Sequence, residues 1–366
     1  MEKTKKNHFY WLVLFLWAAL LALSVFHVVG SDLRWFRLVN VGEVVLSQVP
    51  EVSYPDDFEV NVGGGYDGST YYVVAYDLMP EKAHVGLIRY RRILYPAISK
   101  MLSFGNLSRG MFLANVLGIM VFAWACVKLA DSPRKLLCLI AQPAIWFSLQ
   151  YGLVDLWGMA MLAWVLVLWP KHPLCASLFF LLACLARETM LIFVVGLFVS
   201  CLIKRDFKLS LYPLVVAILW GMWSLLLKMM YPEAEMQGGV VFPFSGWWIF
   251  LRDDLHIKDL PQLILVVWML LSFYWCIKNS KDPWMIAIFM FLGAMLCAKS
   301  GMAEHFLSAG RLLSPVMFLL TVRLLQERDW KLKSLSYIGV ILFVLCAYRQ
   351  FVVTEEIDWF LWQGVK

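Results

Sequence analysis

Two strings in this sequence bring residues able to do chemistry close together. The first, Gly63-Gly64-Gly65-Tyr66-Asp67-Gly68, sets one carboxylate beside a run of glycines, whose missing Cβ lets the backbone take positive φ and approach other groups closely. A carboxylate so placed can take the proton of an attacking hydroxyl. It can equally cap a helix that starts there, accepting backbone N–H bonds. The second, Arg89-Tyr90-Arg91-Arg92-Ile93-Leu94-Tyr95-Pro96, concentrates three guanidiniums in an otherwise apolar segment. These are permanently charged donor forks suited to a phosphate, with anchoring to lipid head groups as the plainer role. Farther along, Arg187 and Glu188 separate two apolar runs, Asp155 lies just inside another, and Glu304, His305 and Arg311 stand at the start of a later one. Charges at membrane depth are costly and usually face a polar cavity. Structural pairing of Arg187 with Glu188 or another carboxylate is the competing role, and a lone His305 reads as readily as a hydrogen-bonded interfacial residue as a ligand.

The elements that must position these groups are apolar and long. Of 366 residues, 61% are hydrophobic and the mean hydropathy is +0.72, where soluble domains carry about 45–50% apolar residues. Apolar runs at 9–29, 110–130, 134–150, 152–169, 173–186, 188–203, 210–230, 261–277, 283–299, 305–325 and 335–350 predict about eleven transmembrane helices in one membrane domain covering 1–366, since a span needs roughly 20 residues. The pair of runs around Arg187 and Glu188 also fits one broken or re-entrant helix. The eight cysteines fall within or at the ends of these runs with no CxxC pair, as small buried hydrophobes do. The run 9–29 is too long for the apolar core of a signal peptide and reads as a retained first span.

Orientation follows from the cations. Lys3, Lys5 and Lys6, then Arg134 and Lys135, Lys171, Lys204 with Arg205 and Lys208, Lys278 with Lys281, and Arg328, Lys331 and Lys333 fall in every second connection, the pattern of cytoplasmic loops. The net charge of +6 is therefore a membrane signature rather than a nucleic-acid one. The amino terminus is expected in the cytoplasm, and the long connections 31–109 and 231–259 outside. The first is far longer than a passive loop, and its segments 68–79 and 87–103, aromatic-rich and amphipathic, are expected as helices in the membrane interface. Asp67, the arginines and the polar span ends then share the external side. One carboxylate with several arginines at a lipid boundary suits transfer of a group from a lipid phosphate, the carboxylate taking a proton and the cations stabilising the phosphate that leaves. A transporter or flippase of lipid-linked saccharides is the alternative, although it would place polar residues midway along several spans. A structural subunit of an export assembly is a third reading.

Three strings carry a family resemblance: Gly65-Tyr66-Asp67-Gly68-Ser69-Thr70-Tyr71-Tyr72, the arginine string from Arg89 to Pro96, and Leu185-Ala186-Arg187-Glu188-Thr189. In order, spacing and side of the membrane they resemble bacterial polytopic glycosyltransferases of the GT-C superfamily, with Ser69-Thr70 standing where Gln-Phe is expected and Arg91 where Gln is expected. The resemblance implies an all-α, GT-C-like fold, a polyprenyl-phosphate-linked sugar donor, a glycan, lipid or glycolipid acceptor, and inversion at the sugar with Asp67 as base. It implies substrate binding by Tyr66, Tyr72, Arg89, Arg91, Arg92, Asp155, Arg187, Glu188, His305 and Arg311. Asp77, Asp56 and Asp57 are further acids on the same loop. Some members of that superfamily require a divalent metal and others do not. Asp56-Asp57 reads equally as a solvated turn, and metal-independent transfer is expected. The location implied is a bacterial inner membrane, with the site in the periplasm.

Overall fold

The structure, a computed structural model, describes residues 2–30, 67–169, 171–234, 248, 260–279, 282–297, 306–325 and 336–352. Among them every regular element is helical. In chain order these are α1 (Glu2–Val29), α2 (Asp67–Tyr76), α3 (Leu87–Arg91), α4 (Leu94–Met101), α5 (Leu107–Leu129), α6 (Pro133–Ile140), α7 (Pro143–Tyr151) and α8 (Asp155–Leu168). They continue as α9 (Pro173–Ala186), α10 (Met190–Ile203), α11 (Phe207–Met230), α12 (Leu260–Lys278), α13 (Pro283–Leu296), α14 (Phe306–Leu324) and α15 (Ile338–Val352).

Among the described residues three stretches are long and apolar enough to cross a bilayer: Phe9–Val29 of α1, all of α5 and all of α11. The helices α8, α9, α10 and α13 and the Leu263–Lys278 part of α12 are apolar but shorter. Large hydrophobic side chains face outward on the long helices. Trp11, Phe15 and Phe26 on α1, Met120 and Trp124 on α5, and Leu211, Met222 and Met229 on α11 are all exposed. Exposed apolar surface on this scale marks a contact surface rather than a water-facing exterior, and a lipid environment is the one such helices tolerate.

Prolines set several helix ends. The run 134–150, expected as one span, is two helices. Pro143 has no N–H to give the carbonyl four residues back, and its ring disfavours helical backbone at the preceding residue; Gln142 is accordingly extended at φ −112°, ψ 131°. Both α6 and α7 therefore open on a proline, a position where the missing N–H costs nothing. Gly152, at φ 59°, closes α7 in the left-handed conformation that glycine adopts without strain, and α8 begins three residues later. A second expected helix, 87–103, divides in the same way. Pro96 cannot bond to the Arg92 carbonyl, so α3 ends at Arg91, and α4 restarts with Pro96 in its first turn.

The expectation that 68–79 lies in the membrane interface is not what the structure shows. In α2 the residues Gly68, Ser69, Tyr71, Tyr72, Val73, Val74 and Ala75 are all buried. Tyr71 through Ala75 form a consecutive apolar run with no polar stripe, so this helix is enclosed by protein on nearly every side. It packs against α3, α4 and α5.

Helix α8 is flanked by α5, α9 and α14, with most of its residues buried. Both α9 and α10 pack along α11, and the chain between them is extended at Arg187 (φ −153°, ψ 119°). Small residues permit the closest contacts. A Cβ at Gly196 of α10 would come within 2.4 Å of the Ala287 backbone of α13, the small-residue approach typical of membrane helix pairs. Of the eight cysteines, all free, six are buried as expected, whereas Cys175 is exposed and Cys297 half-buried.

Replacing Gly196 by leucine should force α10 and α13 apart, at a cost of about 1–3 kcal/mol as overpacking usually gives. In detergent the variant should melt several degrees below wild type; an unchanged melting temperature would mean that this contact does not form.

Candidate functional site

The site is built from helix ends. Asp67 is the first residue of α2 and Asp155 the first of α8. Arg92 follows the last residue of α3, and Arg187 follows the last residue of α9. Glu188 lies in the turn between α9 and α10, and Arg311 within the first turns of α14.

These side chains form a closed chain of contacts. Glu188 accepts two bonds from Arg92, Nε to Oε2 and Nη2 to Oε1, each 2.5 Å. Such bidentate pairing is the strongest guanidinium–carboxylate geometry. Arg92 also donates through Nη1 to the Tyr71 hydroxyl at 2.5 Å, and Arg89 donates to the same oxygen at 3.2 Å. Through Nη2, Arg89 reaches Asp67 Oδ1 at 2.6 Å. The other oxygen of Asp67, Oδ2, accepts from Arg311 Nη2 at 3.1 Å, while Arg311 Nε donates to Asp155 Oδ2 at 2.8 Å. Asp155 is paired in turn with Arg187, the chain neighbour of Glu188, which completes the circuit.

Packing fixes the circuit from behind. The Tyr71 ring meets Tyr95 edge-on, with centroids 6.2 Å apart, and the Tyr95 hydroxyl accepts a bond from Asn115 Nδ2 of α5. Asn115 also donates to the Ser148 carbonyl of α7, and the Ser148 hydroxyl accepts from the Leu156 N–H at the start of α8. The first turn of α8, and Asp155 with it, is thus tied to the helix that carries Asp67.

Burial is graded along the circuit. The Asp155, Arg187 and Arg311 side chains are at most 5% exposed, whereas Asp67 is 28% and Arg89 18% exposed. Burial alone would push the Asp67 carboxyl up, but Arg89, Arg311 and Arg92 outweigh it and hold the group well below the usual carboxylate range. Burial also works against the Arg92 cation; Glu188 first and then Tyr71 overcome it and keep that guanidinium firmly protonated.

Seven of the sequence-predicted site residues therefore meet: Asp67, Arg89, Arg92, Asp155, Arg187, Glu188 and Arg311. Two do not join them. Arg91 turns toward α11, its guanidinium 5.8 Å from the Trp220 ring centre, because alternate residues of a short helix point to different sides. Tyr72 is buried in the apolar core. Tyr66, His305, Asp56 and Asp57 lie outside the described residues. Tyr71, absent from the expected set, holds the centre of the circuit. Its spacing was the available signal: four residues after Asp67, it shares that residue's helix face.

Among the described residues, three carboxylates (Asp67, Asp155, Glu188) face four guanidiniums (Arg89, Arg92, Arg187, Arg311), one more cation than acid. Among the described residues no group of three or more His, Cys, Asp or Glu side chains is placed to hold a metal ion, and the carboxylates that meet here are already bonded to cations. Such a setting suits an incoming anion better than a hard divalent cation, which needs free oxygen ligands. Comparison with protein-family models, curated proteins and solved structures yields no match.

Two measurements check this geometry. A double-mutant cycle on Arg92→Met and Glu188→Gln should give a coupling of about 1–3 kcal/mol, as contacting buried partners do; additive losses would break the circuit at that point. Because the folded-state pKa of Asp67 is depressed, its ionised form stabilises the fold above the unfolded-state value of about 4 and ceases to do so as pH falls from there toward the folded value. The stability advantage of wild type over Asp67→Asn should hold constant from neutrality to about pH 5 and shrink only below about pH 4.

Proposed function

We propose that this chain is a membrane glycosyltransferase of the GT-C type, moving a sugar from a polyprenyl-phosphate-linked donor to a glycan, lipid or glycolipid acceptor. The observation that carries the reading is the meeting of Asp67 with Arg89 and Arg311 at the more open end of a cluster that, among the described residues, holds one more guanidinium than carboxylates. An acid beside two guanidiniums supplies both halves of such a transfer. The acceptor oxygen bonds to the anomeric carbon from the face opposite the leaving group while the carbon–oxygen bond to the phosphate breaks, and the sugar inverts. The hydroxyl proton passes to the Asp67 carboxylate, and the electron pair leaves on the phosphate, where guanidiniums neutralise it.

The alternation of basic connections supports an external site, since it assigns Asp67, Asp155, Arg187, Glu188 and Arg311 to one side without using any of them, and these are the residues that meet. In this reading about eleven spans surround the cluster, the amino terminus is cytoplasmic, and the site opens to the periplasm of a bacterial inner membrane. The long first external connection carries the base, and the donor's lipid chain lies along the apolar exterior. No step is assigned to a metal.

Membranes containing wild type should move label from at least one member of a panel of radiolabelled polyprenyl-phosphate monosaccharides to a new product, with a membrane extract as acceptor source. The transfer should persist in EDTA, and Asp67→Asn should reduce it by at least 10³-fold, an order of magnitude typical for loss of a catalytic base together with its orientation. Transfer retained in Asp67→Asn removes the base assignment. No transfer from any donor, together with movement of the intact carrier across the bilayer, supports a flippase instead.

A further inference from the structure

The circuit poses a chemical difficulty. In the structure both oxygens of Asp67 accept charge-assisted bonds, Oδ1 from Arg89 and Oδ2 from Arg311. A carboxylate clamped in this way has little proton affinity, and a general base works best when its pKa lies near the operating pH. Of these two guanidiniums, Arg89 is the one an entering phosphate meets first, with Arg311 behind it on the other oxygen of Asp67. Arg92 is held bidentate by Glu188, and Arg187 is held by Asp155 in the least exposed part of the cluster. Arg89, by contrast, has Asp67 as its carboxylate partner and lies at the more open end.

We propose that Asp67 and the donor phosphate compete for Arg89 and Arg311, so that the phosphate, on binding, takes these guanidiniums and releases Asp67 to act as the base. The inference rests on the glycosyltransferase reading of Asp67 and adds an order to it. Before the donor arrives, the carboxylate is an internal counter-ion that keeps the guanidiniums in place. Once the phosphate has taken the cations, the carboxylate regains proton affinity beside the sugar that the same phosphate carries. A hydroxyl entering without donor therefore meets an inactive acid, and activation is confined to the complex in which transfer can occur. Among the described residues the circuit holds one more guanidinium than carboxylates, so a phosphodiester monoanion can join it without a charged side chain having to leave. Arg311 need not lose all its partners either, because its Nε remains on Asp155.

The test uses phosphate binding, which involves no sugar transfer and so can fail independently of the enzyme assignment. Binding of decyl phosphate to the purified full-length protein in detergent should be at least tenfold tighter in Asp67→Asn and Asp67→Ser than in wild type, because the internal competitor has lost its charge. Asp131→Asn removes an exposed carboxylate paired with Lys135 and serves as the control for a general charge effect; it should bind as wild type does. Equal or weaker binding in the folded Asp67 variants, or no saturable binding to wild type, would overturn the competition. If neither Asp67 variant folds, a structure of wild type with bound decyl phosphate decides. Arg89 should then sit on the phosphate, out of hydrogen-bond reach of Asp67, and an Arg89–Asp67 bond that persists alongside the ligand overturns the proposal.

Discussion

A charge can be kept within an apolar helical bundle only if another charge meets it there, and this constraint organises the molecule. Desolvating an ion costs several kcal/mol, and attraction to a partner offsets the cost only when geometry is good and the remaining polar atoms are satisfied. Here seven ionised side chains from five separated stretches of sequence satisfy one another through contacts that no local segment could provide. Each of those stretches is fixed by the demand. The turn at Arg187 and Glu188 must meet Asp155 and Arg92 at once, and α14 must bring Arg311 between two aspartates. Removing any of the three carboxylates leaves a guanidinium (Arg89, Arg187 or Arg92) without the acid it pairs with, so the circuit ties α2, α3, α8, α9 and α14 together more specifically than apolar contact does.

The location of the charges relative to the helices reinforces the pairing. Asp67 and Asp155 begin helices, where unpaired N–H groups give a partial positive charge, while Arg187 follows the end of a fourteen-residue helix, where unpaired carbonyls give a negative one. Proline and glycine produce the needed ends. Pro96 terminates α3 beside Arg92, and Gly152 ends α7 just ahead of Asp155. Breaks that would count as defects in simple membrane-crossing helices thus supply the termini at which ions are least costly to bury.

How far the sequence reveals this depends on the kind of signal. The helical class and the membrane character are legible from the long apolar runs, because composition and length alone determine them. The polar members of the site are legible for a related reason: ions are so rare in such runs that Asp155, Arg187 and Arg311 stand out individually. Their pairing is not legible. Which of Asp67, Asp155 and Glu188 faces which arginine depends on contacts between residues up to 244 positions apart, and sequence spacing carries no record of them. Sequence leaves Arg187 open to pair with adjacent Glu188 or with another carboxylate; adjacent residues on extended backbone point apart, and Arg187 pairs with Asp155. The burial of α2 is hidden for a different reason. A ten-residue helix with tyrosines and small residues has the same composition at a lipid interface as inside protein, and only its neighbours distinguish the two. Tyr71 is hidden by its chemistry, since a tyrosine beside a second tyrosine reads as packing until two guanidiniums are found on its hydroxyl.

If Asp67 is the base proposed above, the contacts that make it a good structural counter-ion make it a poor base, and a fixed arrangement cannot meet both demands. A site that relaxed the clamp permanently would gain proton affinity at the cost of leaving guanidiniums unmatched in a partly desolvated pocket. A site that tightened it would be stable and inert. The conflict is removed if the second anion is brought by the substrate, because a phosphate can replace the carboxylate on the same donors with no net loss of pairing. Exposure along the circuit suits such an exchange: the Arg187–Asp155 pair is closed off, and of the two contacts that would open, Arg89–Asp67 is the more solvent-accessible. In the proposed order of events, stability and reactivity draw on one set of guanidiniums in succession.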